Sequence, residues 1–508
     1  MHSKPESGGL GIVVLLGQDI RKIIKTRKDN ILGLSSSLFG VLDITMISCG
    51  VKPMRKSMLE KIRWLGFSQI VILYILENMD AYLLVPNYNL IKHELGVSDT
   101  YLGFLMGGYL LMNGLAAFLW SYVSDTRGMK RKALLATSFG AGGFFTILAS
   151  ISPNPIPLMF FWILAGGSLG AIIPLGFSLI SDLFDRRMRT RAFMLWYMLG
   201  GIGLAVGYIV ALFLGAYYGW RFPLYVGGII LMVFGAPLCL SIWEPQRGIS
   251  DVEAHIDEYY YPYRFRPQDV RLILSNKSNI YVALQGFFGT IPNGVLFTWT
   301  VHYIIREAHA SEVAASVFLG LMSTGALGGL FLSYLADKLY ERDVVYRPLI
   351  AASCSIGEGV LFMIFFAIPI KLNIYTDNPK EAFLMMIDLL SRDMLVLFTF
   401  TIFFIAMFLN SPVGAIRNSI LADVNLPEDK ATVLSAINIA ELLSKSIGIT
   451  VVGFLSDILG SLRIPIIIAM SIWILSGISW IYVARYYHGD LAQIKNILEQ
   501  RLKSIGVS

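Results

Sequence analysis

Apolar runs long enough to cross a bilayer recur along this chain, and that recurrence leaves few folds open to it. A helix needs about 20 apolar residues to span hydrocarbon. Twelve runs of that order follow one another, over residues 62–86, 101–122, 133–152, 157–180, 191–217, 223–242, 279–304, 312–335, 348–369, 394–420, 431–454 and 464–484. Charged residues make up only 15% of the 508 positions, against about 25% in a soluble protein. The expected fold is an all-α membrane protein with twelve transmembrane helices.

The loops orient these spans. Lys and Arg resist translocation and collect on the cytoplasmic side. With both termini cytoplasmic, that side receives the basic residues of 127–132, then Arg186, Arg187, Arg189 and Arg191, then those of 247–277 and 338–347. The outer side receives Lys92, Arg221, Arg306 and one longer loop of mixed charge over residues 371–392. The expected location is the plasma membrane. Residues 1–55 read as an N-terminal extension, cytoplasmic or interfacial, with Met54 and Met58 as alternative starts. Residues 56–243 then form a first six-helix bundle, 244–278 a cytoplasmic linker, 279–487 a second bundle and 488–508 an amphipathic cytoplasmic tail. The Tyr-rich part of the linker, Tyr259 to Tyr261 and Tyr263, is expected at the headgroup level.

Composition excludes several functions. The net charge of +6 comes from residues scattered through short loops, with no basic stripe interleaved with aromatics, so no nucleic-acid partner is expected. Cys49, Cys239 and Cys354 are far apart in mostly apolar surroundings and read as small core residues, not as a disulfide framework. His302 and His309 lie near the outer end of one span without further ligands, so no metal is expected. No H-E-x-x-H and no phosphate-gripping loop is present. Neither a cofactor nor an enzymatic activity is expected.

The segment SYVSDTRGMKRK, residues 121–132, stands between the second and third runs, and SYLADKLYER, residues 333–342, echoes it. Their aspartates, Asp125 and Asp337, are 337 − 125 = 212 residues apart. A second pair, SLISD ending at Asp182 and SILAD ending at Asp423, is separated by 423 − 182 = 241 residues. Two pairs in the same order imply two parallel copies of a six-helix unit. The first segment resembles the loop signature between the second and third helices of the major facilitator superfamily, approximately G-x-L-a-D-r-x-G-r-[RK]-[RK]. Asp125, Gly128, Lys130 and Arg131 match it, while Ser121 replaces the first Gly and Val123 the Leu. The resemblance implies the major facilitator fold, two six-helix bundles, and a cytoplasmic gate of Asp125, Gly128, Lys130, Arg131, Asp182, Asp337 and Asp423. In that gate Asp125 faces the N-terminus of span eleven, where the helix dipole is positive, Lys130 or Arg131 reaches Asp182, and the contacts hold an outward-open state.

Within the superfamily, Glu77 to Asp80, residues 174–182 and Gly219, Trp220 and Arg221 resemble the spinster-type lipid transporters. That subgroup has an Asn where Glu77 stands, an Arg where Ala81 stands and a Glu in span four, and these three are absent here. Gly200, Gly201, Gly203 and Gly207 make span five resemble that of exporters. Tyr208 stands where the antiporter signature has Pro, however, and Trp162 lies near the place of the span-four Arg of proton-coupled members.

Polar side chains inside spans are costly in lipid and therefore point to a site. Glu77 and Asp80 lie three residues apart on span one; Asn438, Glu441 and Lys445 share a face of span eleven, where Glu441 and Lys445 form an i, i+4 pair able to neutralise itself. Gln285 and Asn293 share a face of span seven around Pro292, and Asn113, Glu358, Asn410 and Arg417 complete the set. The expectation is a substrate- or ion-binding cavity near the midplane between the two halves. The alternative is helix–helix glue, which suits the amides and Glu358 best, with Arg417 as an inner-end anchor. Trp196, Tyr197 and Trp299 are expected in apolar packing. The expected function is secondary transport of a small organic solute by rocker-switch alternating access, carried out by a monomer and coupled to protons or a cation through Glu77 and Asp80. Lys445 or Arg417 would offset an anionic group. A lipid or lysolipid transporter of spinster type, or a transporter-like receptor that binds without moving its solute, are the alternatives.

Overall fold

The computed structural model describes residues 56–127, 129–184, 186–245, 269–376, 378–426 and 430–504, whose regular structure is helical, with no strand. The extension 1–55 with Cys49, Gly128, and linker residues 246–268 with the Tyr run lie outside them. Residues 66–508 form one unit and residues 1–65 another.

Twelve helices among the described residues are long and apolar enough to cross a membrane. They are α1 (Lys61–Leu95), α2 (Asp99–Ser124), α3 (Arg131–Ser150), α4 (Pro155–Leu183), α5 (Met198–Tyr218), α6 (Arg221–Ser241), α7 (Lys277–Glu307), α8 (Glu312–Tyr340), α9 (Tyr346–Ala367), α10 (Met394–Asp423), α11 (Ala436–Leu459) and α12 (Arg463–Gln500). Lipid offers no hydrogen bonds to the backbone, so an open chain crosses only as helices, and any break must be satisfied from within. The breaks here obey that rule. At the end of α1, Pro86 interrupts the ladder, and Asn87 Nδ2 donates to the carbonyls of Leu83 (3.5 Å) and Ala211 (3.0 Å). α8 relaxes to a tighter turn over Thr324–Gly328, and α10 breaks at Ser411 and Pro412. The two breaks meet, with Ser411 Oγ donating to the Ala326 carbonyl at 2.6 Å.

Packing within residues 66–508 divides into three apolar cores. One draws on both halves of the chain, from Leu83, Tyr88, Leu105 and Trp220 of α1–α6 to Trp299, Phe318, Phe366 and Trp473 of α7–α12. The second holds only first-half residues, such as Phe67, Leu135, Leu179 and Trp196. The third holds only second-half residues, such as Val282, Ile420, Trp480 and Tyr487. The shared core lies toward the Asp99 end of α2; the separate cores lie toward the ends that carry Arg131 and Arg347. The halves thus meet at one end and hold themselves together separately at the other.

One expectation needs correction. Residues 371–392 are not a plain loop: Pro379–Arg392 is a helix, started by Asn378, whose side chain accepts from the Lys380 amide, and packed on α8. The described part of the C-terminal tail is helical and continues the last helix, which runs unbroken from Arg463 to Ser504. Its extension is held by Asp490, whose Oδ2 accepts from the Ser278 amide at 2.7 Å and so caps the start of α7, and by the burial of Leu491 and Ile494.

Candidate functional site

The polar residues of the spans fall into three groups. In the first half, Glu77 accepts from Asn113 Nδ2 (3.1 Å) and from Asn78 Nδ2 (3.0 Å), and Asn113 also donates to the Gly166 carbonyl at 3.2 Å. One turn on, the fully buried Asp80 accepts from Thr146 Oγ1 (3.1 Å) and the Tyr109 hydroxyl (3.3 Å). Both carboxyl groups are thereby bonded to neutral donors from α2 and α3. Helix α5 lies close behind: a side chain at Gly203 or Gly207 would strike the α1 backbone at Ile75 or Met79, whereas Gly201 faces open space. Close approach, rather than a hinge, accounts for two of these glycines.

In the second half, Glu441 pairs with Arg417, not with Lys445. The expected i, i+4 pair is overruled because α10 brings a guanidinium to the same face of α11. Arg417 is accordingly a partner inside the bundle and not an inner-end anchor, with Nη2 on Asn418 Oδ1 at 3.4 Å and a buried Nε left without a partner. Lys445 instead reaches across to the first half, where Nζ donates to the Tyr82 hydroxyl at 3.3 Å. Tyr82 stacks on Tyr208 with ring centroids 5.8 Å apart, and the Tyr208 hydroxyl donates to the Phe297 carbonyl of α7. Tyr82, Tyr208 and Lys445 thus form a polar seam between the halves.

The remaining candidates lie apart from that seam. Gln285 Nε2 donates to Ser476 Oγ of α12 at 3.3 Å. Glu358 is fully buried on α9 beside Asn410 of α10, with Oε2 unpartnered. These three sit between helices of one half, the arrangement expected of helix–helix glue. Asn293 and Asn438 are half-buried. Trp196 and Trp299 are buried in the cores, Trp299 donating to the Ile449 carbonyl at 3.1 Å, and the side chain of Tyr197 lies outside the described residues.

At the gate, the side chain of Asp125 and all of Gly128 lie outside the described residues, and Lys130 is exposed. Arg131 is fully buried at the start of α3. Its Nη1 donates to Asp182 (2.5 Å) and Ser178 (2.8 Å), its Nε to Glu244 (3.1 Å) and its Nη2 to the Pro245 carbonyl (3.0 Å). Arg347, at the start of α9, repeats the pattern: Nη2 on Asp337 (2.8 Å), Nη1 on Asp423 (3.0 Å) and the guanidinium 3.8 Å over the Tyr340 ring. Tyr487 also donates to Asp423 at 2.6 Å. Each cluster bonds within its own half. The expected contact of Arg131 with Asp182 is present, the side chain of Asp125 expected at the start of span eleven lies outside the described residues, and the contacts that join the halves among the described residues lie at the opposite end.

That opposite end was not legible beforehand. Asp99, buried at the start of α2, accepts from Lys92 (2.5 Å), Arg306 (2.7 Å) and Ser456 (2.7 Å), with His302 Nε2 at 3.4 Å. Asp457 of α11 accepts from the amides of Asp99 (2.9 Å) and Thr100 (2.6 Å), a carboxylate cap on the positive end of α2 supplied by the other half. Below it α2 and α11 close together through Gly107, where any side chain would strike Ser446 and Thr450. The signals present in the sequence were Ser98 and Asp99 as a helix start and the terminal charges Arg306 and Asp457, each unremarkable alone. Cys239 and Cys354 are buried free thiols.

The family model described as Major Facilitator Superfamily matches residues 70–449. The chain is 23% identical over 318 residues to the Sphingosine-1-phosphate transporter SPNS2 of Mus musculus, an alignment covering 58% of this chain and 55% of that protein. It is 26% identical over 246 residues to the 3-(3-hydroxy-phenyl)propionate transporter of Escherichia coli (strain K12), covering 47% and 58%. The chain thus spans little more than half the length of these curated relatives. Among solved structures, a bacterial homolog to the human lysosomal transporter spinster, in an inward-facing and unoccupied conformation, is similar with a TM-score of 0.62 at 15% identity, covering 84% of this chain and 98% of that one.

Proposed function

The chain belongs to the Major Facilitator Superfamily, and from that premise we propose that it is a secondary transporter moving a small organic solute by rocker-switch alternating access. The observation that carries this reading is the distribution of cores: one shared by both halves at the Asp99 end, two separate ones at the Arg131 and Arg347 ends. A seam of Tyr82, Tyr208 and Lys445 lies between the halves. Rocking about that seam would part the Asp99 hub and bring the other ends together. The positive-inside bias places Arg131, Arg347 and both termini in the cytoplasm, so the arrangement described is inward-facing, in the plasma membrane.

Glu77, Asp80, Asn113, Glu441, Lys445 and Arg417 line the route, and Glu77 and Asp80 carry the coupling proton or cation. Asp125, Gly128, Lys130, Arg131, Asp182, Asp337 and Asp423 form the cytoplasmic gate, closing only in the other state. The bundles 56–243 and 279–487 act as the two rocking bodies of a monomer. A second reading, transport of a lipid or lysolipid, is favoured by the likeness to the sphingosine-1-phosphate transporter and to the spinster structure. Flux into proteoliposomes under an imposed pH gradient tests the proposal. Uptake that accelerates with the gradient, and loses that response in a Glu77→Gln, Asp80→Asn double variant, is the expected result. Specific binding without flux would make the protein a receptor.

A further inference from the structure

The helix Pro379–Arg392, between α9 and α10 at the Asp99 end, has one face more than the bundle needs. An amphipathic helix on a globular surface turns an apolar stripe to the core and a polar face to water. Here Ala382 and Met386, one turn apart, are fully buried in the core that the halves share, with Leu389 and Leu390 packed against it. Glu381, Asp388 and Arg392 hold the side turned away from that core and are exposed, Asp388 pairing with Arg392 at 2.7 Å. Between these two sides, Phe383, Leu384 and Ile387 are 44%, 56% and 46% exposed. At about 100° per residue, Phe383 and Ile387 follow one flank of the buried stripe and Leu384 continues it toward Asp388. Met385, on the other flank, is a single exposed apolar side chain of the kind any surface carries.

The helix is fixed where it stands. The segment before it is tied to the turn between α7 and α8: the Leu372 amide donates to the Ala308 carbonyl and the Ser311 amide to the Ile374 carbonyl, both at 2.8 Å. Ser311 Oγ donates to the Thr376 carbonyl at 2.8 Å, and Thr376 Oγ1 to Glu381 at 2.9 Å. After the helix, Asp393 caps α10, accepting from the amides of Leu395 (2.8 Å) and Val396 (3.2 Å). Exposed apolar residues resume at once, with Met394, Leu395 and Phe398, and these belong to a span and meet lipid. The third face is thus continuous along the chain with the lipid-facing surface of α10. The charges of the helix cancel, Lys380 and Arg392 against Glu381 and Asp388, so nothing in it selects an anionic surface. Among the described residues the first half has no counterpart at this end, where it turns between spans over residues 96–98, 151–154 and 219–220.

We propose that the helix Pro379–Arg392 lies in the headgroup layer of the membrane at the Asp99 end, with Phe383, Leu384 and Ile387 inserted between the uppermost acyl chains, and that it anchors the second half to that leaflet. The partner is a lipid surface, held by apolar burial and indifferent to lipid charge. With the orientation proposed above, the leaflet is the outer one. Rocking then moves the first half against a second half whose depth is fixed at this end. The anchor requires that the chain span a bilayer, not that it move a solute.

The test is the collision accessibility of spin labels on the full chain in phosphatidylcholine liposomes, with Cys49, Cys239 and Cys354 replaced by Ala. Single cysteines replace Phe383, Leu384 and Ile387 on the third face, Glu381 and Asp388 on the charged face, and Phe398 of α10 as the lipid control. Oxygen concentrates in the bilayer and a nickel chelate in water. The ratio of oxygen to nickel collisions should be at least about threefold higher at Phe383→Cys and Ile387→Cys than at Glu381→Cys and Asp388→Cys, as apolar insertion requires. Adding phosphatidylglycerol to the liposomes should leave that ratio unchanged. In a Phe383→Asp, Ile387→Asp double variant the label at Leu384→Cys should become accessible to nickel, while the label at Phe398→Cys keeps its oxygen contact and shows that the chain is still inserted. Nickel collisions at Phe383→Cys and Ile387→Cys equal to those at Asp388→Cys would put the face in water. Few collisions with either reagent would put protein over it, and a ratio that follows phosphatidylglycerol would make charge the anchor. Each of these outcomes, or a Leu384→Cys label that stays in lipid in the double variant, overturns the proposal. Failure of the transport reading looks different: the labels behave as described, yet no solute crosses a proteoliposome membrane.

Discussion

The two ends of the bundle are built from the same materials and do opposite things. At both, a buried charged residue sits at the start of a helix and gathers opposite charges. Around Asp99 the partners come from the two halves of the chain: Lys92 on α1, Arg306 on α7, Ser456 and the capping Asp457 on α11. Around Arg131 the partners among the described residues, Asp182, Ser178, Glu244 and Pro245, come from the first half and the start of the linker, and around Arg347 those partners belong to the second half. The same chemistry is therefore a clasp at one end and two internal staples at the other. Ion pairs that cross an interface bias a conformational equilibrium, whereas those within a body set only how rigid that body is.

Breaking a staple should cost the most in stability. Arg131 is fully buried and answers two carboxylates, so Arg131→Ala takes the buried guanidinium from both. A loss of about 3–5 kcal/mol is expected, read as a large fall in melting temperature. A loss below about 1 kcal/mol would mean that the cluster is not the staple described.

Breaking the clasp should shift conformation more than stability. Asp99→Asn removes the charge that Lys92 and Arg306 share across the halves, about 1.5–3 kcal/mol for charge-assisted bonds. Spin-label distances across the Asp99 end should then show the parted state enriched between about tenfold and a hundredfold. Unchanged distances would end the comparison drawn above.

Arg347→Ala sharpens it. Asp337 is largely exposed and Asp423 partly so, and solvent screens such pairs. The expected cost is about 1 kcal/mol, well below that of Arg131→Ala, although the two arginines are related by the repeat. Equal costs would show that exposure does not separate them.

The smallest effect belongs to Asp343, between α8 and α9 and fully exposed. The Val345 amide and then His488 hold its carboxyl below the usual carboxylate range. A depressed carboxylate contributes stability above its ordinary titration range and loses it as pH falls through the depressed value. The melting difference between wild type and Asp343→Asn should be slight near neutrality and vanish in strong acid. A difference that grows on acidification would reverse the sign.

Reading order explains which of these features were visible in advance. The spans were legible because each is a local run whose apolar length has one solution in lipid. Asp182, Asp337 and Asp423 were legible because a repeat places like residues at like positions. Arg347 escaped notice because its partners lie ten residues and 76 residues away in sequence. The self-neutralising Glu441–Lys445 pair was the natural reading of spacing on one helix. It failed because α10, 24 residues upstream, presents Arg417 to Glu441.

What the sequence determined by itself is the set of helices, their count and their order, since hydrogen bonding within a span and apolar length depend on neighbours in the chain. It also determined that the chain is two related halves. Only the tertiary structure decided which charges meet: that Lys445 faces the first half, that Asp99 and not Asp182 joins the halves, and that three cores form where one was conceivable. The physical reason is range. Helix formation in lipid is settled over about 20 residues, whereas an ion pair between helices depends on how two distant faces are turned toward each other.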